Sequence, residues 1–258
     1  MNALTKDRST SNSKYKFSFI GNGSNSVVPV LQRWKSGKYR LIGTGFMVAS
    51  PNVFVTAKHI FKGNDINVGD DRFYIIDGEA ECPVPISDVL LHNDRDGAIF
   101  TVDFSAIGLS PDLTLVAIKC LPPDVDEIIG SFVYANSIVD PSIGIFENKD
   151  SSVDQYCKNR SHWEVGGVKE VFGEGRGFVK GQCFSSSLLI ESRASGGPVF
   201  NSSGFVVGIN SRAFKFDGGL PDSTILYIEE IAKLEVNGTC LDQLWNTINT
   251  NVVCTKIT

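Results

Sequence analysis

The sequence has no long apolar run. No window is long and apolar enough for a membrane-spanning helix. The first fourteen residues, MNALTKDRSTSNSK, also lack the apolar stretch of an export signal. That pattern leads to the expectation of a cytoplasmic protein with no membrane partner. Basic clusters are missing too. The chain has 24 Lys and Arg against 29 Asp and Glu, a net charge of −5, and a pI near 5.3. Phosphate backbones are bound by basic surfaces, so nucleic acid is not an expected partner. The most basic stretch, Arg33 to Arg40, is mixed with Trp34 and Tyr39 and reads as a solvated hairpin. Cysteine is sparse: Cys82, Cys120, Cys157, Cys183, Cys240 and Cys254 are scattered, with no C-x-x-C pair. A metal site built from them is not expected, and in the cytoplasm they would be reduced thiols. No internal repeat has a fixed period, and no long helical pattern appears before residue 225.

What is present is a succession of short apolar segments. Residues 1–14 read as a flexible polar tail and 15–258 as one folded unit. From Val27 onward, runs rich in β-branched and aromatic residues alternate with Gly, Pro, Asn or Asp. They are Val27–Trp34, Tyr39–Ala49, Val53–Thr56, Arg72–Asp77, Ala98–Val102, Leu113–Ile118 and Ile128–Ala135. Trp163–Phe172, Gly177–Phe184, Pro198–Phe200 and Phe205–Asn210 continue the series. Strands at this density predict an all-β sandwich or barrel. The polar, turn-rich segment 140–159 divides the chain. We therefore expect an N-terminal barrel over about 27–138 and a C-terminal barrel over about 160–235. Ile228, Ile231 and Leu234, then Leu241, Leu244 and Trp245, allow a helical end, placed at about 236–248.

Three stretches carry chemistry. The first is Gly43-Thr-Gly-Phe-Met-Val with Val53-Phe-Val-Thr-Ala-Lys-His59. The second is Asp94-Arg-Asp96-Gly-Ala-Ile-Phe. The third is Ala194-Ser195-Gly196-Gly197-Pro198-Val, followed by Gly204-Phe-Val-Val-Gly208-Ile. A serine hydroxyl is a weak nucleophile at neutral pH and needs a general base. Histidine titrates near the working pH and can serve. A carboxylate behind the imidazole fixes its tautomer and stabilises its charged form. Small residues after the serine let backbone N–H groups approach a developing oxyanion. Each motif alone is ambiguous. Together, in the order His, Asp, Ser, each attached to a strand of an all-β chain, they match one known solution to acyl transfer.

On these residues the chain resembles the trypsin/chymotrypsin-like peptidase superfamily, in particular the bacterial-type branch that includes the Do-like (HtrA) proteases. Thr56-Ala57-Lys58-His59 is similar to the family's histidine motif, Asp96-Gly97-Ala98 to its acid motif, and Ala194 through Pro198 to its serine motif. The strand Gly204 through Ile209 is similar to the one behind the family's serine. The spacings are 96 − 59 = 37 and 195 − 96 = 99. The resemblance covers residues 27 to about 235. It implies two six-stranded Greek-key β-barrels of the chymotrypsin-like kind, with a short C-terminal helix. The implied activity is serine endopeptidase, with a peptide or protein as substrate and no metal or organic cofactor. His59 would be general base and then acid, Asp96 its orienting group, and Ser195 the nucleophile. The oxyanion hole would use the backbone N–H groups of Arg193 and Ser195. Ser211 falls where the family pairs with substrate backbone, and Arg212 and Ala213 would border the pocket. Leu188, Leu189 and Ile190 fall at the pocket floor, with Leu189 as the substrate contact, so uncharged side chains are the expected preference.

The chain departs from the pattern in three places. Arg193 stands where most relatives have Gly, and positive φ is costly for a residue with a side chain. Such a hole is expected to be misformed until substrate or an activating partner protein shapes it. Ala194 replaces the acid that secreted relatives use in zymogen activation, and Ile60 replaces the cysteine after the histidine. The alternative to an active peptidase is a latent or inactive domain that binds extended peptides; an esterase on the same fold is a third reading. His92 reads as a surface residue, His162-Trp163 as packing and Gly173-Glu-Gly-Arg-Gly177 as a hairpin turn, and Cys183 is set aside as a rival nucleophile because the double Gly follows Ser195. Asp94 competes with Asp96 for the acid role, and Asp96 is preferred because Ala98 then begins the strand.

Overall fold

The computed structural model describes residues 26–33, 39–49, 52–62, 73–76, 83–105, 122–134, 161–214, 222–232, 234–236 and 238–241. Six strands form the first closed barrel: β1 (Val27–Arg33), β2 (Tyr39–Ala49), β3 (Val53–Thr56), β4 (Phe73–Ile76), β5 (Pro83–Leu91) and β6 (Ala98–Val102). Their order around the barrel is β1-β2-β3-β6-β5-β4. Helix α1 (His59–Lys62) follows β3 as a single turn. The second closed barrel is built from β7 (Ile128–Tyr134), β8 (Ser161–Phe172), β11 (Cys183–Ser186), β12 (Pro198–Asn201), β13 (Val206–Phe214) and β14 (Asp222–Tyr227). The intervening pair, β9 (Gly175–Arg176) and β10 (Val179–Lys180), is the hairpin expected from the Gly-rich run. Helix α2 (Glu229–Ala232) comes next, and β15 (Glu235–Val236) then pairs with β16 (Thr239–Cys240).

The two barrels share one winding. The second runs β11-β14-β13-β12-β7-β8 around its circumference. Counted from β7, that is first-second-third-sixth-fifth-fourth, the same permutation as in the first barrel. Closure removes the open edges that a sheet of this size would otherwise expose. Both interiors are filled by large apolar side chains. Phe54 stacks on Phe100 at 5.0 Å, and Phe61 meets Phe73 edge-on at 5.2 Å. In the second barrel Ile129, Phe184, Leu188, Val199 and Ile225 form a fully buried cluster. Trp163 packs on Phe132 and Phe200 at 5.3 and 5.7 Å, the packing role expected of it, while His162 Nε2 lies 3.2 Å from Glu164 Oε1.

Several boundaries differ from the sequence reading. Ile128–Tyr134 belongs to the second barrel, pairing with β8 and β12. The N-terminal barrel's described strands therefore end at Val102, not near residue 138. Apolar content alone cannot assign a strand to a barrel; only its partners can. The run read as Gly177–Phe184 is two strands, broken at Gly181, whose φ is +90°. β5 and β14 escaped the pattern. β5 starts at Pro83 and alternates irregularly, and β14 opens on Asp222-Ser-Thr, polar residues that are nonetheless buried at 223 and 224. The expected helix at 236–248 is strand at Glu235–Val236 and Thr239–Cys240. The short helix lies earlier, at α2, and residues 242–248 fall outside the described set, as does Leu113–Ile118. Among the described residues no helix is long and apolar enough to cross a membrane.

Candidate active site

Strand order brings His59 and Asp96 together. β3 and β6 are neighbours, with Thr56 opposite Ala98. His59 lies three residues beyond the end of β3, and Asp96 two residues before β6, so the pairing sets them side by side. The contact is threefold. The His59 backbone N–H donates to Asp96 Oδ1 at 3.0 Å. His59 Nδ1 lies 2.8 Å from Asp96 Oδ2 and 3.1 Å from Oδ1. The carboxylate is 13% exposed and the imidazole 32%. Burial alone would raise the Asp96 pKa. The hydrogen bond and charge of His59, with the Ser211 hydroxyl and the His59 N–H, outweigh it and hold the carboxyl below its usual value of 3.8. Asp94 is exposed and makes no such contact: its N–H turns back to His92.

The serine arrives from the second barrel on a loop fastened to the first. Thr44 N–H donates to the Ser195 carbonyl at 2.9 Å. Gly196 N–H donates to the Asn210 carbonyl at 2.7 Å, and Asn210 N–H to the Gly197 carbonyl at 2.9 Å. Gly196 has φ +86°, and a Cβ there would stand 2.1 Å from Thr56 Oγ1 and 2.3 Å from the Thr44 carbonyl. Only glycine permits that approach. The Thr of Thr-Ala-Lys-His is spent on the same seam, since Thr56 Oγ1 donates to the Thr44 carbonyl at 2.6 Å.

Ser211 joins the acid to the serine. Its hydroxyl donates to Asp96 Oδ2 at 2.5 Å, while its carbonyl accepts from Ser195 Oγ at 3.4 Å. Ser211 is 1% exposed. Thus one residue of β13 touches both groups, from the opposite barrel to Asp96. The sequence reading gave Ser211 a substrate-pairing place but not this bond. Among the described residues, Ser195 Oγ makes its hydrogen bond to Ser211, and none links it to His59 Nε2. The Ser195 N–H donates to no group among the described residues.

Arg193 takes the conformation its side chain disfavours. Its φ is +80°. Ala194 N–H donates to the Glu191 carbonyl at 3.2 Å, closing a turn with Arg193 in third place. A positive φ at that place alone defines a type II turn, which ordinarily calls for glycine. The sequence reading expected a side chain here to resist positive φ; the backbone adopts it nonetheless. Thr44 holds it: Thr44 Oγ1 lies 3.3 Å from the Arg193 carbonyl and 3.2 Å from that of Tyr134, and accepts from Tyr134 N–H at 3.1 Å. No sequence signal marked Thr44 beyond its place between Gly43 and Gly45.

The predicted substrate contacts divide. Arg212 and Ala213 are exposed on β13 beyond Ile209, the last residue of that strand paired with β12. From Ser211 onward β13 pairs with β14 alone among the described residues. Arg212 lies over the ring of Phe178, 5.7 Å from its centroid, and Phe178 is 81% exposed. Leu188 and Ile190 point into the second barrel's core, leaving Leu189, half-buried, as the pocket candidate of the three. Cys183 is buried at the start of β11, and burial first of all pushes its thiol up to about 11, so it is no rival nucleophile.

A family model described as the trypsin-like peptidase domain matches residues 43–209. The chain belongs to that family. The match spans the histidine, acid and serine motifs alike. Among solved structures, Rv3671c of M. tuberculosis in an inactive mutant form is similar at 14% identity, covering 92% of this chain and 91% of that one, with a TM-score of 0.56. Rv3671c protease in its active form is similar at 17% identity, over 85% of this chain and 86% of that one, also at TM-score 0.56. Likeness at these identities establishes the fold alone. No curated protein matches the chain.

Proposed function

We propose that this trypsin-like peptidase domain is a serine endopeptidase with Ser195 as nucleophile, His59 as general base and acid, and Asp96 as the orienting carboxylate. The observation that carries the reading is the chain of contacts from His59 Nδ1 to Asp96, from Asp96 to the Ser211 hydroxyl, and from the Ser211 carbonyl to Ser195 Oγ. It joins loops from both barrels, and packing alone does not require it.

Each step then has a group. An extended peptide adds to β13 at Ser211–Ala213, on the side where it has no strand partner among the described residues, as peptides add to exposed strand edges. A peptide N–H takes the Ser211 carbonyl, which releases the Ser195 hydroxyl to turn toward His59 Nε2. Catalytic hydrogen bonds often tighten only when substrate is bound. Oγ attacks the scissile carbonyl carbon, and its proton passes to Nε2. Asp96, held as the anion, stabilises the imidazolium and keeps Nδ1 protonated. Negative charge on the carbonyl oxygen is taken by the N–H groups of Ser195 and Arg193. The tetrahedral species collapses, His59 gives its proton to the leaving amine, and water repeats the sequence on the acyl-enzyme. Leu189, the half-buried one of Leu188, Leu189 and Ile190, would then border the pocket and favour uncharged side chains before the cut.

A second reading, a latent peptide-binding domain, is favoured by one observation: the Ser195 hydroxyl rests on Ser211 rather than on His59. Labelling with a fluorophosphonate probe separates the two. Wild type labels, and both Ser195→Ala and His59→Ala abolish the signal, if the domain is a serine hydrolase. Folded wild type that never labels refutes constitutive activity and leaves the latent domain.

A further inference from the structure

The loop that presents Asp96 is held more heavily than its length requires. It runs from His92 to Gly97 and is closed by His92 N–H donating to the Gly97 carbonyl at 3.0 Å. Inside it, His92 Nδ1 accepts from the N–H of Asp94 at 3.1 Å and of Arg95 at 3.0 Å. One imidazole lone pair therefore anchors the two residues that immediately precede Asp96. Outside it, the Lys58 ammonium donates to the His92 carbonyl and, at 2.8 Å, to that of Asn93. Arg95 Nε pairs with Glu230 Oε2 at 2.5 Å, and Glu230 Oε1 accepts from Gln182 N–H at 3.0 Å. Gly97 lies against Ile231, where a Cβ would come within 2.7 Å. The acid's loop is thus tied to the residue before His59, to α2 and to the entry of β11.

We propose that His92 is a positioning residue for Asp96, acting as a neutral hydrogen-bond acceptor that keeps the acid's loop in register with His59, and that protonating it releases the loop. The role rests on the peptidase reading above. Its logic is that of an Asx turn, in which a side-chain oxygen accepts from the N–H groups two and three residues on. Here an imidazole nitrogen does so, and a nitrogen that accepts has no proton. A proton on Nδ1 removes both bonds together and places a cation beside Arg95 and Lys58. The groups facing the ring are Arg95 and Asp94 from its own loop, Lys58 from the turn before α1, and Glu230 from α2. Burial, then Arg95 and Lys58, outweigh Asp94 and Glu230, so the imidazole sits below its usual value of 6.5 and is neutral where the enzyme would work.

The test uses His92→Asn, whose Oδ1 accepts the same two N–H groups without titrating, and His92→Leu, which offers no acceptor. Two readouts are taken: amide hydrogen exchange across Asp94–Asp96, which needs no activity, and the fluorophosphonate labelling rate. At neutral pH, His92→Leu is expected to lose exchange protection in the loop and to label roughly tenfold more slowly, from two lost hydrogen bonds. His92→Asn is expected to stay within about threefold of wild type at pH 7. Its advantage over wild type then grows, toward roughly tenfold, as the pH falls to about 4.5. Unchanged protection in His92→Leu, or lost protection with unchanged labelling, overturns the proposal. So does a His92→Asn profile parallel to that of wild type. A wild type with a protected loop that never labels refutes the peptidase reading instead, and ends the positioning role with it.

Discussion

Arg193→Gly should stabilise this protein and quicken its reaction with the probe, and Arg193→Ala should do neither. Arg193 holds φ at +80° in the third place of a type II turn. Left-handed backbone costs about 1–2 kcal/mol for a residue with a Cβ. Glycine escapes that cost but loses more chain freedom on folding, by about 0.5–1 kcal/mol. The net gain expected for Gly over Ala is about 1 kcal/mol, which in a chain of this size moves Tm by about 2–4 °C. Alanine is the necessary reference because it keeps the strained Cβ while removing whatever the guanidinium contributes. The same strain bears on function. A turn that flips to negative φ at 193 would no longer present the same N–H to the oxyanion. About 1 kcal/mol of relief changes the ratio of the two turns by roughly fivefold. The assays are thermal unfolding and fluorophosphonate labelling of wild type, Arg193→Gly and Arg193→Ala. If Gly and Ala share one Tm and one labelling rate, the strain is not real and the reasoning fails. Gly that melts higher but labels no faster would keep the strain and discard its role in shaping the hole.

Two further predictions follow from the polar seam. Ser211→Ala removes a charge-assisted donor to Asp96 while leaving the backbone edge intact. Labelling should slow on the order of tenfold, peptide affinity should hold, and the Asp96 carboxyl should titrate higher, as carboxyl NMR would report. The second prediction concerns acid stability. Asp96 is depressed in the folded state, so its contribution is fully present above the ordinary value of 3.8 and is lost as pH falls through the lower folded value. The stability gap between wild type and Asp96→Asn in urea should therefore not shrink above about pH 5, and should close only in more acidic solution. A gap that already closes between about pH 5 and 7 would show that the carboxylate is not held low.

The sequence and the structure agree where chemistry forces residue type. The meeting of His59 with Asp96 was legible from the order of the three motifs, and the glycine at 196 is required where Thr44 and Thr56 crowd it. Strand density predicted a sandwich or barrel, and the resemblance implied the two six-stranded barrels that the structure has. Less was legible about which strand joins which barrel. Ile128–Tyr134 looks the same to a pattern wherever it pairs, and its place follows from Ser131 opposite Val199 and Glu164. β14 stayed hidden because Ser223 and Thr224 are polar yet 0% exposed, satisfied by Ser186, Leu188 and Arg176. His92 was read as a surface residue for the converse reason. A half-buried histidine whose acceptor role is filled by its own loop leaves no periodic mark.

The repeated winding explains why the site lies where small polar residues are concentrated. In each barrel the third and sixth strands are neighbours, and the fourth and fifth are neighbours. The first barrel uses the third–sixth junction, which gives His59 beside Asp96. The second uses the fourth–fifth junction, which gives the Ser195 loop beside Ser211. The two junctions meet along the line where the barrels pack, and there the usual apolar filling is replaced by Thr44, Thr56, Asn210 and Ser211, all 0–1% exposed. Each is small enough to let two backbones approach, and each carries a hydrogen-bonding group to satisfy them. An apolar seam would pack the barrels as firmly but would take from the Asp96 carboxylate its Ser211 donor and from the Thr44 carbonyl its Thr56 donor. The polar seam therefore ties alignment of the three groups to docking of the barrels, so a substitution that loosens docking should reach the reaction before it reaches the fold.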